Sequence, residues 1–286
     1  MKRKTMHYGK IDVGGIHIFY REAGDKEKQQ IILLNGVPNA SGAFQELMTD
    51  LQNDYYLVAP DFPGFGESDV PDKKSYQYTF DNISLTIEKF IERMGLRHPS
   101  VYALGYGGPI TFRIAARRPN MFASLILQNS NLYEEGLGPA MRDAAPFLEN
   151  RNEKTVELVK PLLTLEGIKL FFLNGAKDPD NINPDHYINA LHYLSRPGQE
   201  EIQLDLLYNY ASNIAEYPKW QKWLKETKPR ILLVWGKNDV FFPLAAAEAI
   251  KKDVPSAELN VYDTSHLALE EHHTDIAENI RSFLGA

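Results

Sequence analysis

Apolar positions along this chain change period repeatedly, and each change marks an element. Residues 10–20 alternate apolar and polar side chains around Gly14-Gly15, the pattern of a β-hairpin. Residues 31–34 form a short, wholly apolar run between polar neighbours, as expected of a strand buried on both faces. Phe44, Leu47, Met48 and Leu51 then share one helical face, and residues 56–59 give the next strand. Ile83, Ile87, Phe90 and Ile91 predict a helix over 80–94. A strand at 101–104, a helix at 109–117 and a strand at 124–128 follow. From about 133 to 220 the strand signal stops, and helical patterns rich in Tyr, Phe and Leu take over. Alternation resumes with a strand at 231–235, a helix at 245–252, a strand at 258–262 and a helix at 274–283. Strand–helix alternation on both sides of a helical insert predicts an α/β fold, a doubly wound and mostly parallel sheet. The expected division is a core of residues 1–132 and 221–286 and a helical cap of residues 133–220.

Composition narrows the function classes. The 286 residues are 43% hydrophobic, enough for one large core without staples, and there is no cysteine. A formal net charge of −7 with scattered Lys and Arg argues against a nucleic-acid partner. The basic start Met1-Lys-Arg-Lys runs into polar residues, and no stretch of 18 apolar residues occurs. A soluble, cytoplasmic protein without a membrane partner is expected. No motif asks for a cofactor or metal: adjacent His272 and His273 would not face each other on a helix, and Pro63-Gly-Phe-Gly66 lacks a following Gly-Lys-Ser/Thr. Glu134-Glu135 and Glu270-Glu271 read as solvated charges, and Asn129, after the strand at 124–128, as a turn cap ahead of the alternative of a group in the neighbourhood of the acid, because Asn is neutral. No heptad or edge pattern points to an oligomeric state.

In sheets of this kind ligands bind at the carboxyl ends of the strands. The strand at 101–104 runs into Gly105-Tyr106-Gly107-Gly108, with Ala103 and Gly107 as small flanks. That is the layout of a nucleophile elbow, a sharp strand-to-helix turn that pushes one side chain into an active site. Position 105 is then the tip; placing the tip at Tyr106 would put Leu104 where a small residue is needed. Glycine supplies no attacking atom, although it tolerates the strained backbone of such a turn. Asp239 after the strand at 231–235, and His266 after the strand at 258–262, complete an acid–base pair in which Asp239 orients the imidazole and His266 is the general base.

These segments in order carry a resemblance. Val58-Ala-Pro-Asp-Phe-Pro-Gly-Phe-Gly-Glu-Ser-Asp69, Tyr106-Gly-Gly-Pro109, Trp235-Gly-Lys-Asn-Asp239 and His266-Leu-Ala-Leu-Glu-Glu271 are similar to the motifs of α/β-hydrolases of the haloalkane dehalogenase and epoxide hydrolase branch. The resemblance spans nearly the whole chain. It implies the α/β-hydrolase fold, an elbow Asp that attacks carbon, and a histidine that activates water against the resulting ester. It also implies an oxyanion site made by the amides of Val37 and Tyr106. The chain departs from the pattern at Gly105, at Asn35 where His is usual, and at Val37 where dehalogenases often carry a halide-holding Asn.

The expected function is therefore hydrolysis of small apolar haloalkanes, epoxides or esters by a chain whose nucleophile position is vacant, inactivated or redesigned relative to its relatives. The alternative is a noncatalytic protein that binds a small molecule in a capped apolar pocket. Asn35, Val37 and Tyr106 are expected beside the oxyanion. Ser130, Phe147 and Trp235 are expected along the substrate pocket, and the small residues Gly42, Ala43 and Ala140 are expected to widen it.

Overall fold

The computed structural model describes residues 6–285, so the basic run at the start lies outside the described residues. Eight strands form one sheet: β1 (His7–Asp12), β2 (His17–Ala23), β3 (Gln30–Leu34), β4 (Tyr56–Pro60), β5 (Ser100–Leu104), β6 (Leu125–Gln128), β7 (Ile231–Gly236) and β8 (Glu258–Tyr262). Their order is β1-β2-β4-β3-β5-β6-β7-β8, antiparallel where β2 meets β1 and β4 and parallel elsewhere. The central strands β4 to β7 are buried along their full length, because helices cover both faces of the sheet. The edge strands β1 and β8 keep exposed positions.

The core helices are α1 (Gln45–Leu51), α2 (Phe80–Arg93) and α3 (Gly107–Arg117) before the insert, with α10 (Ala245–Asp253) and α11 (Leu269–Leu284) after it. Thr79 caps α2 by accepting from the Asn82 amide at 3.2 Å. The face bearing Ile83, Ile87, Phe90 and Ile91 is buried as the spacing predicts. Removing a ring such as Phe90 from that face would cost about 3–5 kcal/mol. Helix α11 begins five residues before the predicted 274, and backbone angles depart from helical at His272. His272 and His273 pair with Asp275 and Asp50 respectively, and no group of three possible metal ligands occurs among the described residues.

Between β6 and β7 lie α4 (Pro139–Asp143), α5 (Ala145–Glu149), α6 (Glu153–Val159), α7 (Leu165–Leu173), α8 (Pro184–Leu194) and α9 (Gln199–Thr227), joined by short 3-10 turns. Helix α9 runs unbroken through the expected boundary at 220, with Pro218 inside it. It belongs to cap and core at once. The Arg113 guanidinium on α3 donates to Ser212 Oγ at 2.9 Å and Asn213 Oδ1 at 3.0 Å, and Asn209 Oδ1 accepts from the Phe80 amide at 2.9 Å.

Glu270 and Glu271 are fastenings rather than solvated charges. Glu270 lies 2.6 Å from His186 Nδ1 on α8 with its side chain 5% exposed. Glu271 accepts from the cap amides of Lys177 and Asp178, and from Thr264 Oγ1. Their place in the first turn of α11, directly under the cap, removes them from water. Glu134 and Glu135 are exposed.

Candidate active site

Strand β5 ends at Leu104, and the chain turns through Gly105 and Tyr106 into α3. Gly105 has φ +52°, a left-handed conformation that is costly for most side chains and free for glycine. The turn is tight enough that a β-carbon on Gly107 would collide with the Leu34 carbonyl oxygen, so only glycine fits there without a shift of the backbone. A β-carbon built on Gly105 would stand 3.2 Å from His266 Nε2. Position 105 is thus the tip of the elbow and is aimed at the histidine.

His266 sits in the loop between β8 and α11, and Asp239 in the loop after β7. The parallel pairing of these strands brings both loops to the same sheet end. His266 Nδ1 lies 2.7 Å from Asp239 Oδ2. A carboxylate only accepts, so Nδ1 carries the proton and Nε2 is left as the basic nitrogen. Asp239 is itself held: Oδ1 accepts from the Phe241 amide at 2.7 Å, and Oδ2 accepts from Asn129 Nδ2 at 2.8 Å. Phe171, Phe241 and Phe242 surround the imidazole with ring centroids 6.0, 5.6 and 6.0 Å away.

Asn129 is more than a turn cap. It adopts φ +43° at the end of β6, donates to the Gly236 carbonyl at 3.1 Å and accepts from the Gly236 amide at 2.9 Å. It ties the ends of β6 and β7 together while donating to Asp239. The signal that could have found it is the adjacency of those two strands, which sets the residue after one beside the acid after the other.

The cavity above Gly105 has a volume of about 50 Å³, space for roughly three to five water-sized groups. Val37, Gly105, Tyr106 and His266 form its floor. Ala140, Met141, Ala144, Val159, Leu162, Leu163, Phe171, Gln203, Leu204 and Leu207 form its walls, together with Phe241 and Phe242. No Lys, Arg, Asp or Glu among the described residues lines it. The amides of Val37 and Tyr106 donate to no described residue, which leaves them free for an oxyanion. Burial holds the Tyr106 hydroxyl pKa above its ordinary value, so it stays protonated.

Four expected residues lie elsewhere. Ser130 is buried under the elbow, its hydroxyl 3.1 Å from the Ala103 carbonyl and 3.3 Å from that of Gly105, because the chain leaving β6 passes beneath the turn. Phe147 is buried in the cap against Tyr208, centroids 5.9 Å apart, and does not line the cavity. Trp235 lies inside the sheet, where its indole N–H donates to the Phe242 carbonyl at 2.9 Å and so fixes one wall of the site from behind. Asn35 is fully buried and donates to the Asn39 carbonyl at 2.8 Å, bracing the loop that carries Val37. Of the three small residues, Ala140 lines the cavity. Gly42 and Ala43 line a separate polar cleft with Arg21, Asp61 and His186.

With that geometry in place, the relatives can be compared. The family model described as alpha/beta hydrolase fold matches residues 30–273. The uncharacterized hydrolase YNR064C of Saccharomyces cerevisiae is 34% identical over 287 residues, spanning 99% of this chain and 98% of its own. Epoxide hydrolase 4 of Homo sapiens is 25% identical over 86% of this chain and 69% of its own. Among solved structures, Cfl2 of Burkholderia cenocepacia superposes with a TM-score of 0.81 at 21% identity, covering 99% of this chain and 97% of that one.

Proposed function

The chain belongs to the α/β-hydrolase fold family, and from that premise we propose that it hydrolyses small, neutral, apolar electrophiles with His266 acting directly on water. The substrate class is haloalkanes, epoxides or esters, the last two sharing an oxygen that gains charge as the bond breaks. One observation carries this reading: the basic Nε2 of an Asp-oriented imidazole faces an apolar cavity at the elbow tip, 3.2 Å from where a side chain at 105 would begin. Glycine there leaves no group to form a covalent intermediate. The attacking oxygen must then come from solvent, held between Nε2 and the electrophilic carbon.

In this mechanism His266 Nε2 takes a proton from water as the oxygen bonds to carbon, and Asp239 stabilises the imidazolium that results. The leaving or carbonyl oxygen collects charge beside the Val37 and Tyr106 amides. With an ester or epoxide the proton on Nε2 then passes to the leaving oxygen; with a haloalkane the halide ion departs and the proton is given up to solvent. Either way the imidazole returns to its starting state. Gly105 is read as standing where the relatives carry their attacking side chain.

A second reading, ligand binding without turnover, is favoured by the same glycine. Turnover of a panel of haloalkanes, epoxides and esters by the chain, His266→Ala and Gly105→Asp decides between them. Activity of the chain that disappears in His266→Ala supports the water mechanism. Activity confined to Gly105→Asp shows that only a covalent route works in this frame, and sinks it.

A further inference from the structure

Helix α9 offers the cavity one carboxamide. Gln203 is 4% exposed, yet neither its Oε1 nor its Nε2 bonds to any described residue, and neither is among the fully enclosed unpartnered atoms. Both therefore touch open space, and the space that Gln203 lines is the cavity over Gly105. Burying a carboxamide without a partner destabilises a fold. Other carboxamides on the same helix are engaged: Gln199 donates to the Gly64 carbonyl, Asn209 accepts from the Phe80 amide, and Asn213 accepts from Arg113 through Oδ1 although its enclosed Nδ2 has no partner among the described residues. Unlike the enclosed Asn213 Nδ2, Gln203 has both its polar atoms open to space and lines the cavity, so it is the α9 carboxamide within reach of a ligand.

The rest of the cap wall is aliphatic or aromatic, and no lysine or arginine among the described residues faces the cavity. A carboxylate entering it would lose its hydration and gain no cation. A neutral molecule with one oxygen acceptor would gain a hydrogen bond that an alkyl halide, whose halogen accepts poorly, would not.

Resting on the hydrolase reading, we propose that Gln203 is a specificity-determining residue: its Nε2–H donates to the carbonyl or ring oxygen of a neutral substrate and so selects esters and epoxides over haloalkanes of the same carbon frame. The Tyr106 hydroxyl, also without a partner among the described residues and on a residue that lines the cavity, is a second donor on the opposing core side. The site discriminates as buried polar groups do, by being left unpaired when the wrong molecule enters.

The test uses unreactive ligands, so that it does not depend on turnover. Binding of 2-butanone and of 2-chlorobutane is measured by ligand-observed NMR on the chain, Gln203→Met, Gln203→Leu and His266→Ala. The chain and His266→Ala should prefer the ketone by roughly three- to tenfold, the worth of one neutral hydrogen bond. Both Gln203 variants should reduce that preference, leaving only what the Tyr106 hydroxyl and the Val37 and Tyr106 amides supply, with Tm unchanged or higher, since an apolar side chain removes an unpaired amide. A preference undiminished in both variants overturns the proposal, as does a lowered Tm in both, which would make Gln203 structural. Failure of either ligand to bind the chain also overturns it. Ester turnover is assayed separately: its absence alongside an intact ketone preference defeats the hydrolase reading and leaves the role of Gln203 standing.

Discussion

The carboxyl end of the sheet and the cap above it meet across one cavity and are built on opposite terms. At the sheet end, polar atoms are tied to one another: Asp239 has three donors, and Asn129 engages both backbone groups of Gly236. The cap wall is apolar, and its one carboxamide there is unpaired. The core fixes where a single proton sits. On the proposed reading, the cap decides which molecule can approach it. Substitutions should therefore divide into those that change the rate on every substrate and those that reorder substrates.

The largest expected effect is Asp239→Asn. A carboxamide facing Nδ1 can present an N–H, which moves the imidazole proton to Nε2 and removes the base. In a serine protease the equivalent change lowers kcat about 10⁴-fold. A loss of about 10³–10⁴ in kcat/KM on all substrates, or about 4–5.5 kcal/mol, is expected here. Steady-state kinetics on an ester and an epoxide check it. A loss restricted to one of them would mean that the core also selects.

Asn129→Gly comes next. Glycine keeps the φ of +43° without strain, so the variant isolates the side chain. Losing its bonds to Gly236 and Asp239 should cost about 1–3 kcal/mol of stability. It should also slow turnover by about tenfold through a less firmly held carboxylate. Urea unfolding and kcat would read the two effects separately. Unchanged kcat with lowered stability would make Asn129 a strand clamp alone.

On the cap side, Leu163→Ala should leave the rate on the smallest substrates within about twofold. It should favour substrates longer by one or two carbons by about tenfold, the scale of one methylene in an apolar pocket. Relative kcat/KM across a chain-length series measures it. A uniform fall across the series would blur the division between core and cap.

The same division explains what was legible in the sequence. Strand positions were readable because buried parallel strands are short apolar runs, and the order of elbow, acid and histidine follows from which strand each residue ends. Gly105, Asp239 and His266 are accordingly found together. The pocket walls were not readable. Phe147, Ser130 and Trp235 are of pocket-like types, but the facing of Phe147 depends on the rotation of a short cap helix, that of Ser130 on the path of the chain leaving β6, and that of Trp235 on which face of β7 the pleat gives it. Gln203 gave no signal because a glutamine in a mostly polar 29-residue helix resembles any solvated one. Glu270 and Glu271 were misread for a related reason: exposure in the core alone says nothing of a cap packed over them.

Glu270 also supplies the smallest effect, and the one that tests how the two regions are held together. His186 on α8 has its pKa raised, chiefly by its hydrogen bond to Glu270 and against the effect of burial, with Glu46 and Asp185 adding to the rise. A group that binds its proton more tightly in the folded state contributes stability that is fully present below its unfolded pKa, near 6.5, and is lost as pH rises through the folded value. The cap–core fastening should therefore weaken from about neutral pH upward. Because the imidazole is 27% exposed, the increment is small, under about 1 kcal/mol. Thermal unfolding followed from pH 5.5 to 9 should show the chain losing its advantage over Glu270→Gln as pH rises, the two curves converging at the alkaline end. Parallel curves would mean that Glu270 serves the imidazole only as a hydrogen-bond acceptor, with no charge at stake. Glu270 touches neither the base nor the cavity wall, so kcat at pH 9 should be the same in both proteins. A difference there would mean that the fastening positions the cap for catalysis as well as holding it down.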